Sequence, residues 1–366
     1  MAKAGEHAVM MLRPPVFDFH KSPMIVIWEM TRACALACRH CRAVASPCAQ
    51  PGQLSGEESK RLIEQVAYVS PQVFVLTGGD PAERGDLCEL VGLARDSGLR
   101  VALSPSATPR FLELDLVALR DAGVRRISMS LDGASRETHD AFRGVKGTWD
   151  WTMSAVEKIH AAGIELQINT TFTCQNLAEL GDFVSVVKSL NPLLWSVFQL
   201  VPTGRGRQAD LLSAREMEVL FHRLWEISQE VPFDIKTTEG QHFRRVVAQR
   251  NAQAGIHAPQ PPVGVNDGRG FVFVSHDGEV YPSGFLPFSA GNVRNGELLD
   301  FYRDSPVFQA LRNEDGFAGK CGHCEYRRLC GGSRARAYAM TGDYLASEPL
   351  CEYHPVRQDR REPSYA

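Results

Sequence analysis

Trp28-Glu-Met-Thr-Arg-Ala-Cys-Ala-Leu-Ala-Cys-Arg-His-Cys-Arg42 sets Cys34, Cys38 and Cys41 in the spacing C-x3-C-x2-C. The apolar run Met24–Trp28 just before it reads as a strand buried on both faces. Three thiolates on one short loop can hold three irons of a 4Fe–4S cube and leave the fourth iron without a protein ligand. A cluster held by four cysteines usually carries electrons; an open iron can bind a substrate or cofactor directly. Zinc is the competing reading. Its sites use paired C-x2-C units or Cys/His pairs across a longer gap, and no such pair lies near this loop.

Outward from the loop, short Val-, Ile- and Leu-rich runs alternate with helix-period segments. The strands expected are Met24–Trp28, Val73–Thr77, Arg100–Leu103, Arg126–Leu131, Glu165–Thr171 and Leu194–Val201. The helices expected between them are Gly56–Val69, Leu87–Ser97, Leu112–Ala122, Thr148–Ala162 and Leu177–Leu190, with Gly98, Gly123 and Gly163 as exit signals. Six strands with crossover helices predict a parallel α/β architecture, either an open sheet or an incomplete barrel. Further helices are expected at Ser213–Gln229 and Gly240–Gln253, then a Pro-rich break over Ala258–Gly264. Gly270–Ser275 and Glu279–Tyr281 flank His276-Asp-Gly278 as an antiparallel hairpin.

The 366 residues are 44% hydrophobic and 23% charged, with a net charge of −3, which supplies no basic field for nucleic acid. No apolar run approaches the roughly 20 residues needed to span a bilayer, and the first residues lack a signal-peptide h-region. A cytoplasmic location is therefore expected, where ten cysteines serve better as metal ligands than as disulfides. Four of them form a second group, Cys321, Cys324, Cys330 and Cys351, spaced C-x2-C-x5-C-x20-C. Four thiolates can fully ligate a second 4Fe–4S cluster or a structural zinc. Cys48, Cys88 and Cys174 read as small apolar residues.

Other polar groups collect at strand ends. Thr77-Gly-Gly-Asp-Pro81 closes the second strand; its glycines allow close backbone approach, and a carboxylate there suits a cationic amine. Ser128-Met-Ser-Leu-Asp-Gly133 ends the fourth strand, with Ala141-Phe-Arg-Gly144 beyond it. Gln167, Asn169 and Gln199 are read as inward-facing amides, either ligand contacts or a buried polar network. Arg205 and Arg207 follow the sixth strand and are expected to meet a substrate anion. His242 could pass a proton, with Arg244 and Arg245 beside it; a solvated helix is the plainer reading.

Taken together, the cysteine loop, Gly78-Gly79-Asp80, the Ser-Leu-Asp-Gly run with His139 and Arg143, and the C-terminal cysteines resemble the radical SAM (S-adenosylmethionine) superfamily. They resemble in particular its branch with SPASM or Twitch extensions, including the heme-maturing enzymes of the denitrification-heme and alternative heme pathways. The resemblance implies a partial (β/α)6 TIM-like barrel with a small Fe–S-binding extension. It implies a SAM-binding 4Fe–4S cluster on Cys34, Cys38 and Cys41, with reductive cleavage of SAM to a 5′-deoxyadenosyl radical that takes hydrogen from substrate. It makes His40, Gly78, Gly79, Asp80, Ser130, Asp132, Arg143 and Asn169 SAM-site residues. Ser283 and Ser333 stand where relatives carry cysteines, so one auxiliary 4Fe–4S cluster on Cys321, Cys324, Cys330 and Cys351 is expected. The expected units are 1–22, the barrel 23–232, a helix and Pro-rich connection 233–269, the auxiliary-cluster domain 270–355 and a polar tail 356–366. A carboxylate-bearing tetrapyrrole is the preferred substrate, for which His242 could ligate the heme iron and Arg244 and Arg245 grip propionates; a peptide is the alternative, and a low-potential flavodoxin or ferredoxin the implied electron donor. An Fe–S or heme carrier without SAM turnover is the non-enzymatic alternative; it has no use for Gly78-Gly79-Asp80 beside an open-cornered cluster.

Overall fold

The protein is described from a computed structural model covering residues 17–256 and 263–356. Most of the Pro-rich stretch and the tail from 357 onward lie outside the described residues. Ten strands form one sheet: β1 (Ile25–Glu29), β2 (Val73–Thr77), β3 (Val101–Leu103), β4 (Val124–Ser130), β5 (Glu165–Phe172), β6 (Leu194–Gln199), β7 (Asp234–Thr238), β8 (Phe271–Val274), β9 (Glu279–Tyr281) and β10 (Gly291–Asn292). Their spatial order is β10-β9-β8-β1-β2-β3-β4-β5-β6-β7. Strands β1 to β7 pair in parallel in chain order. The sheet is not closed, so the architecture is a partial, TIM-like α/β barrel.

Thirteen helices are present among the described residues. Those wrapping the barrel are α1 (Gly56–Val69), α2 (Leu87–Asp96), α3 (Pro109–Leu112), α4 (Leu116–Ala122), α5 (Arg136–Arg143), α6 (Thr148–Ala161), α7 (Leu180–Ser189), α8 (Ala214–Ser228) and α9 (Phe243–Gln253). The C-terminal region adds α10 (Leu298–Asp304), α11 (Pro306–Arg312), α12 (Gly319–His323) and α13 (Arg334–Thr341). Ser55 and Glu58 start α1 with reciprocal capping bonds, and Ser213 and Glu216 do the same for α8. Alternation along the strands sends Phe74, Leu76, Ile127, Met129, Ile168 and Trp195 into the helix-covered core, all fully buried. Trp195 donates to Thr170 Oγ1 at 2.9 Å and meets Phe172 edge-on, so truncating it would cost about 3–5 kcal/mol.

Three features differ from the sequence reading. Strand β7 extends the parallel sheet past residue 232. The hairpin β8–β9 forms as expected, but β8 also pairs in parallel with β1, so the C-terminal region continues the barrel sheet. Helix α5, whose buried face is His139, Phe142 and Arg143 with no aliphatic residue, is held by its Ser135 cap and by Gly144 at φ +72°.

Candidate functional site

The cysteine loop leaves the C-terminal end of β1, where barrel enzymes place their chemistry. Cys34 and Cys38 are buried and Cys41 partly so. Leu36 N–H reaches Cys34 Sγ at 3.4 Å, Ala45 N–H reaches Cys41 Sγ at 3.5 Å, and Ser106 Oγ lies 3.5 Å from Cys34 Sγ. Burial pushes the Cys38 thiol up to about 11, against the pull of the Arg143 guanidinium. A bare thiolate is thus disfavoured there, and a bound metal would supply the missing positive charge.

The Gly78-Gly79-Asp80 turn packs onto the backbone of this loop. Gly79 N–H donates to Thr31 O at 2.7 Å and Asp80 N–H to Ala33 O at 2.6 Å. A Cβ on Gly79 would fall on the Ala33 carbonyl oxygen and lie 2.7 Å from the Arg32 carbonyl carbon. Both glycines are needed for this approach. Asp80 is fully buried; its carboxylate accepts from Thr108 Oγ1 at 2.8 Å, Ala82 N–H at 3.1 Å and Ser106 N–H at 3.3 Å. Burial still raises its pKa to about 6. Its side chain therefore braces the turn, and what it leaves facing the mouth is backbone.

Arg143 and Asp132 form a buried ion pair at 3.0 Å, and Asp132 also accepts from Thr171 N–H at 2.8 Å. The Arg143 guanidinium neighbours the Cys38 and Cys34 thiols. His139 is buried and accepts at Nδ1 from Asp132 N–H at 3.1 Å, so it positions the Asp132 turn. His40 stacks on Phe142 with centroids 4.8 Å apart, and its Nδ1 is buried without a partner. Burial lowers its pKa to about 4, so this ring is neutral near pH 7. Ser130 and Asn169 are cross-strand partners on the inner wall, with Gln167 donating to Asn169 Oδ1 at 2.7 Å.

Two candidates occupy different places from those expected. Gln199 shares the face of Trp195, and its Cγ packs where a Cβ on Gly240 would sit, beside Phe221. It belongs to the helix side and is not brought together with Asn169. Arg205 faces the cysteine loop: its Nε donates to Cys38 O at 2.9 Å, its Nη1 to Ala45 O at 3.3 Å and its N–H to Cys41 O at 3.0 Å. Gly204 (φ +59°) lets the turn approach, since a Cβ there would collide with the Cys41 and Arg42 carbonyls. Arg205 is thus a latch on the loop. Arg207 is exposed and paired with Asp210 at 2.9 Å.

Sequence reasoning passed over Glu29. Its carboxylate is buried at the end of β1, 2.9 Å from Arg42 Nη2, 3.1 Å from Arg32 Nε and 3.4 Å from His276 Nδ1. Burial alone would raise its pKa; Arg42, the neighbouring His276 and Arg32 outweigh that and hold it at about 2. The signal was an acid ending an otherwise apolar run. Glu29 ties the cysteine loop to the β8–β9 hairpin, where Arg42 also covers the Phe273 ring at 4.5 Å.

Cys321, Cys324, Cys330 and Cys351 line one pocket together with His242, Arg245, Lys320 and Glu348. Gly332 N–H points at Cys330 Sγ (3.3 Å) and Glu348 N–H at Cys321 Sγ (3.3 Å). Burial pushes the Cys330 thiol up to about 12 and Cys324 up to about 11. His242 is buried here, with Nε2 3.0 Å from Met217 Sδ and its ring edge-on to Phe221. His242 thus lies against the second cysteine pocket. Arg245 pairs with Glu218, and Arg336 with Glu348. Arg334 stacks on Phe317 at 4.7 Å. Among the described residues no three His, Cys, Asp or Glu side chains are arranged to hold a single metal ion. Thiolates that bind different irons of a cube need not converge on one point.

The family model for the radical SAM superfamily matches residues 28–187, from the end of β1 into α7. An AdoMet-dependent heme synthase of Oleidesulfovibrio alaskensis is 39% identical over 97% of this chain and 94% of its own length. An Fe-coproporphyrin III synthase of Methanosarcina barkeri is 28% identical over 92% of this chain and 89% of its own. Streptococcus suis SuiB bound to S-adenosylmethionine shares the fold, with a TM-score of 0.69 at 15% identity over 91% of this chain and 78% of that one. Since the likeness runs through the cysteine loop and on across almost the full length of a curated enzyme, the chain is an enzyme and belongs to the radical SAM superfamily.

Proposed function

We propose that this enzyme uses SAM and a 4Fe–4S cluster on Cys34, Cys38 and Cys41 to act on a propionate-bearing iron tetrapyrrole. The observation that carries the reading is the 39% identity to a heme synthase along almost the whole chain. The donor set fits the cluster: three thiols on one loop, two of them beside the Arg143 guanidinium, with the Arg205 Nη2 buried and unpartnered. When bound, the cluster supplies reductive cleavage of SAM and so a radical able to remove hydrogen from substrate. The chain's own groups do the rest. Gly78 and Gly79 bring main chain against the loop, and Ser130 and Asn169 offer polar contacts on the wall. Arg143, paired to Asp132, balances thiolate charge, and the barrel wall excludes water from the reacting carbon. The four-cysteine pocket is assigned to one auxiliary 4Fe–4S cluster, and a low-potential flavodoxin or ferredoxin is the proposed reductant.

Anaerobically reconstituted protein should form 5′-deoxyadenosine from SAM and dithionite, and should convert Fe-coproporphyrin III to a product of lower mass. Absence of 5′-deoxyadenosine with the first cluster intact would refute the radical chemistry. SAM cleavage with an unaltered tetrapyrrole would refute the substrate.

A further inference from the structure

Strand β7 ends the sheet, and its register aligns Lys236 with Ser196, Ser196 with Asn169, and Asn169 with Ser130. Residues paired across parallel strands share a face, so these four make one transverse polar row. The adjacent row, Met129, Ile168, Trp195 and Ile235, belongs to the helix-covered core. Lys236 therefore stands on the concave inner wall. Its side chain is accessible, and among the described residues it has no salt bridge. The charged groups that bear on it are Arg126 and Arg244. Arg126 is neutralised by Glu165, through bonds of 3.0 and 2.8 Å. Arg244 donates to the carbonyls of Val265 (2.6 Å) and Leu329 (3.3 Å) and has no carboxylate partner among the described residues. Lys236 thus has no carboxylate partner among the described residues, whereas Arg244 has the Cys330 thiol beside it.

We propose that Lys236 forms a subsite for a substrate carboxylate; the assignment of that carboxylate to a tetrapyrrole side chain rests on the function proposed above. Strands spaced about 4.8 Å apart put Lys236 about 10 Å along the wall from Asn169. One carboxylate can then be anchored while a different part of the same ligand lies beside the cysteine loop.

The test compares the reconstituted wild type with Lys236→Met and Lys236→Arg in absorbance titrations with Fe-coproporphyrin III and with its tetramethyl ester. Lys236→Met should weaken binding of the free acid about tenfold or more, Lys236→Arg should stay within about threefold, and ester binding should be the same in all three. Substrate-free SAM cleavage and iron content should not change. Equal affinity of wild type and Lys236→Met for the acid would overturn the subsite and leave Lys236 as a guard on an edge strand. Failure of the wild type to bind either porphyrin would sink the tetrapyrrole reading instead. The subsite is then decided by amine acetylation of Lys236 read by peptide mass. Protection by the polycarboxylate mellitate sustains it, and unprotected labelling overturns it.

Discussion

Replacing Glu348 with Gln should strongly destabilise the C-terminal region. The carboxylate is fully buried and accepts four hydrogen bonds: from Arg336 Nε at 2.8 Å and Nη2 at 2.7 Å, Ser333 N–H at 2.8 Å and Leu350 N–H at 3.0 Å. Burial pushes its pKa up, but the Arg336 charge, His242 and the hydrogen bonds outweigh this and hold it at about 2, against an ordinary 4.5. That difference corresponds to about 3 kcal/mol. An independent route agrees, since removing one partner of a buried ion pair costs about 3–5 kcal/mol. Because the folded pKa is the lower one, the contribution is complete above about pH 4.5 and is lost as pH falls towards 2. The assay is the denaturant midpoint of the holoenzyme, with iron content measured alongside, because Glu348 N–H also supports Cys321 Sγ. Glu348→Gln should lose roughly 3 kcal/mol from pH 5 to 8, with the gap narrowing in more acid buffer. The double variant Arg336→Met/Glu348→Gln should recover part of it, since no buried guanidinium is left alone and the amide oxygen can still accept from main-chain N–H. A loss below about 1 kcal/mol, or a double variant as weak as the single, would refute the reasoning.

Gly79→Ala should break the first cysteine site alone. The new Cβ meets main chain of the cysteine loop, which cannot rotate away, so iron should fall from about eight to about four per chain on reconstitution; a full complement would show that the loop gives way. Arg205→Met should free the Cys38 and Ala45 carbonyls, at a cost of about 1–3 kcal/mol. Iron should then leave the first site faster under a chelator while the second site is unaffected, and an unchanged rate would remove the latch.

How much of this could be read from the chain depends on how local each signal is. Cysteine spacing and the strand–helix alternation are short-range, so the loop, its place after β1 and the parallel α/β class were legible. Strand β7, Asp-Ile-Lys-Thr-Thr, is short and polar and shows no apolar run; pairing with β6 makes it a strand. The union of β8 with β1 joins residues far apart in sequence and leaves no local mark. Side-chain direction was the other gap. Arg205 was expected to face substrate, but Gly204 at positive φ turns it onto the cysteine loop. Gln199 lies on the core side because its strand parity matches Trp195, a parity fixed only once the register with β5 is known.

The two cysteine groups differ in more than one thiolate. The first sits at the mouth, with Arg143 beside Cys34 and Cys38 and with loop carbonyls taken up by Arg205. The second is set into a pocket with Arg245 and Lys320 on its wall, Arg244 beside Cys330 and the Arg334 guanidinium 3.8 Å from Cys321 Sγ. Net charge, hydrogen bonds to sulfur and exposure set the potential of an Fe–S cluster. Four thiolates among these cations and two N–H donors would therefore be easier to reduce than the same ligands in an apolar setting. A cube at the first site would have one thiolate fewer and one iron without a protein ligand. Under the proposed function the labour would be divided, with binding chemistry at the site that lacks a ligand and electron storage at the site that has all four.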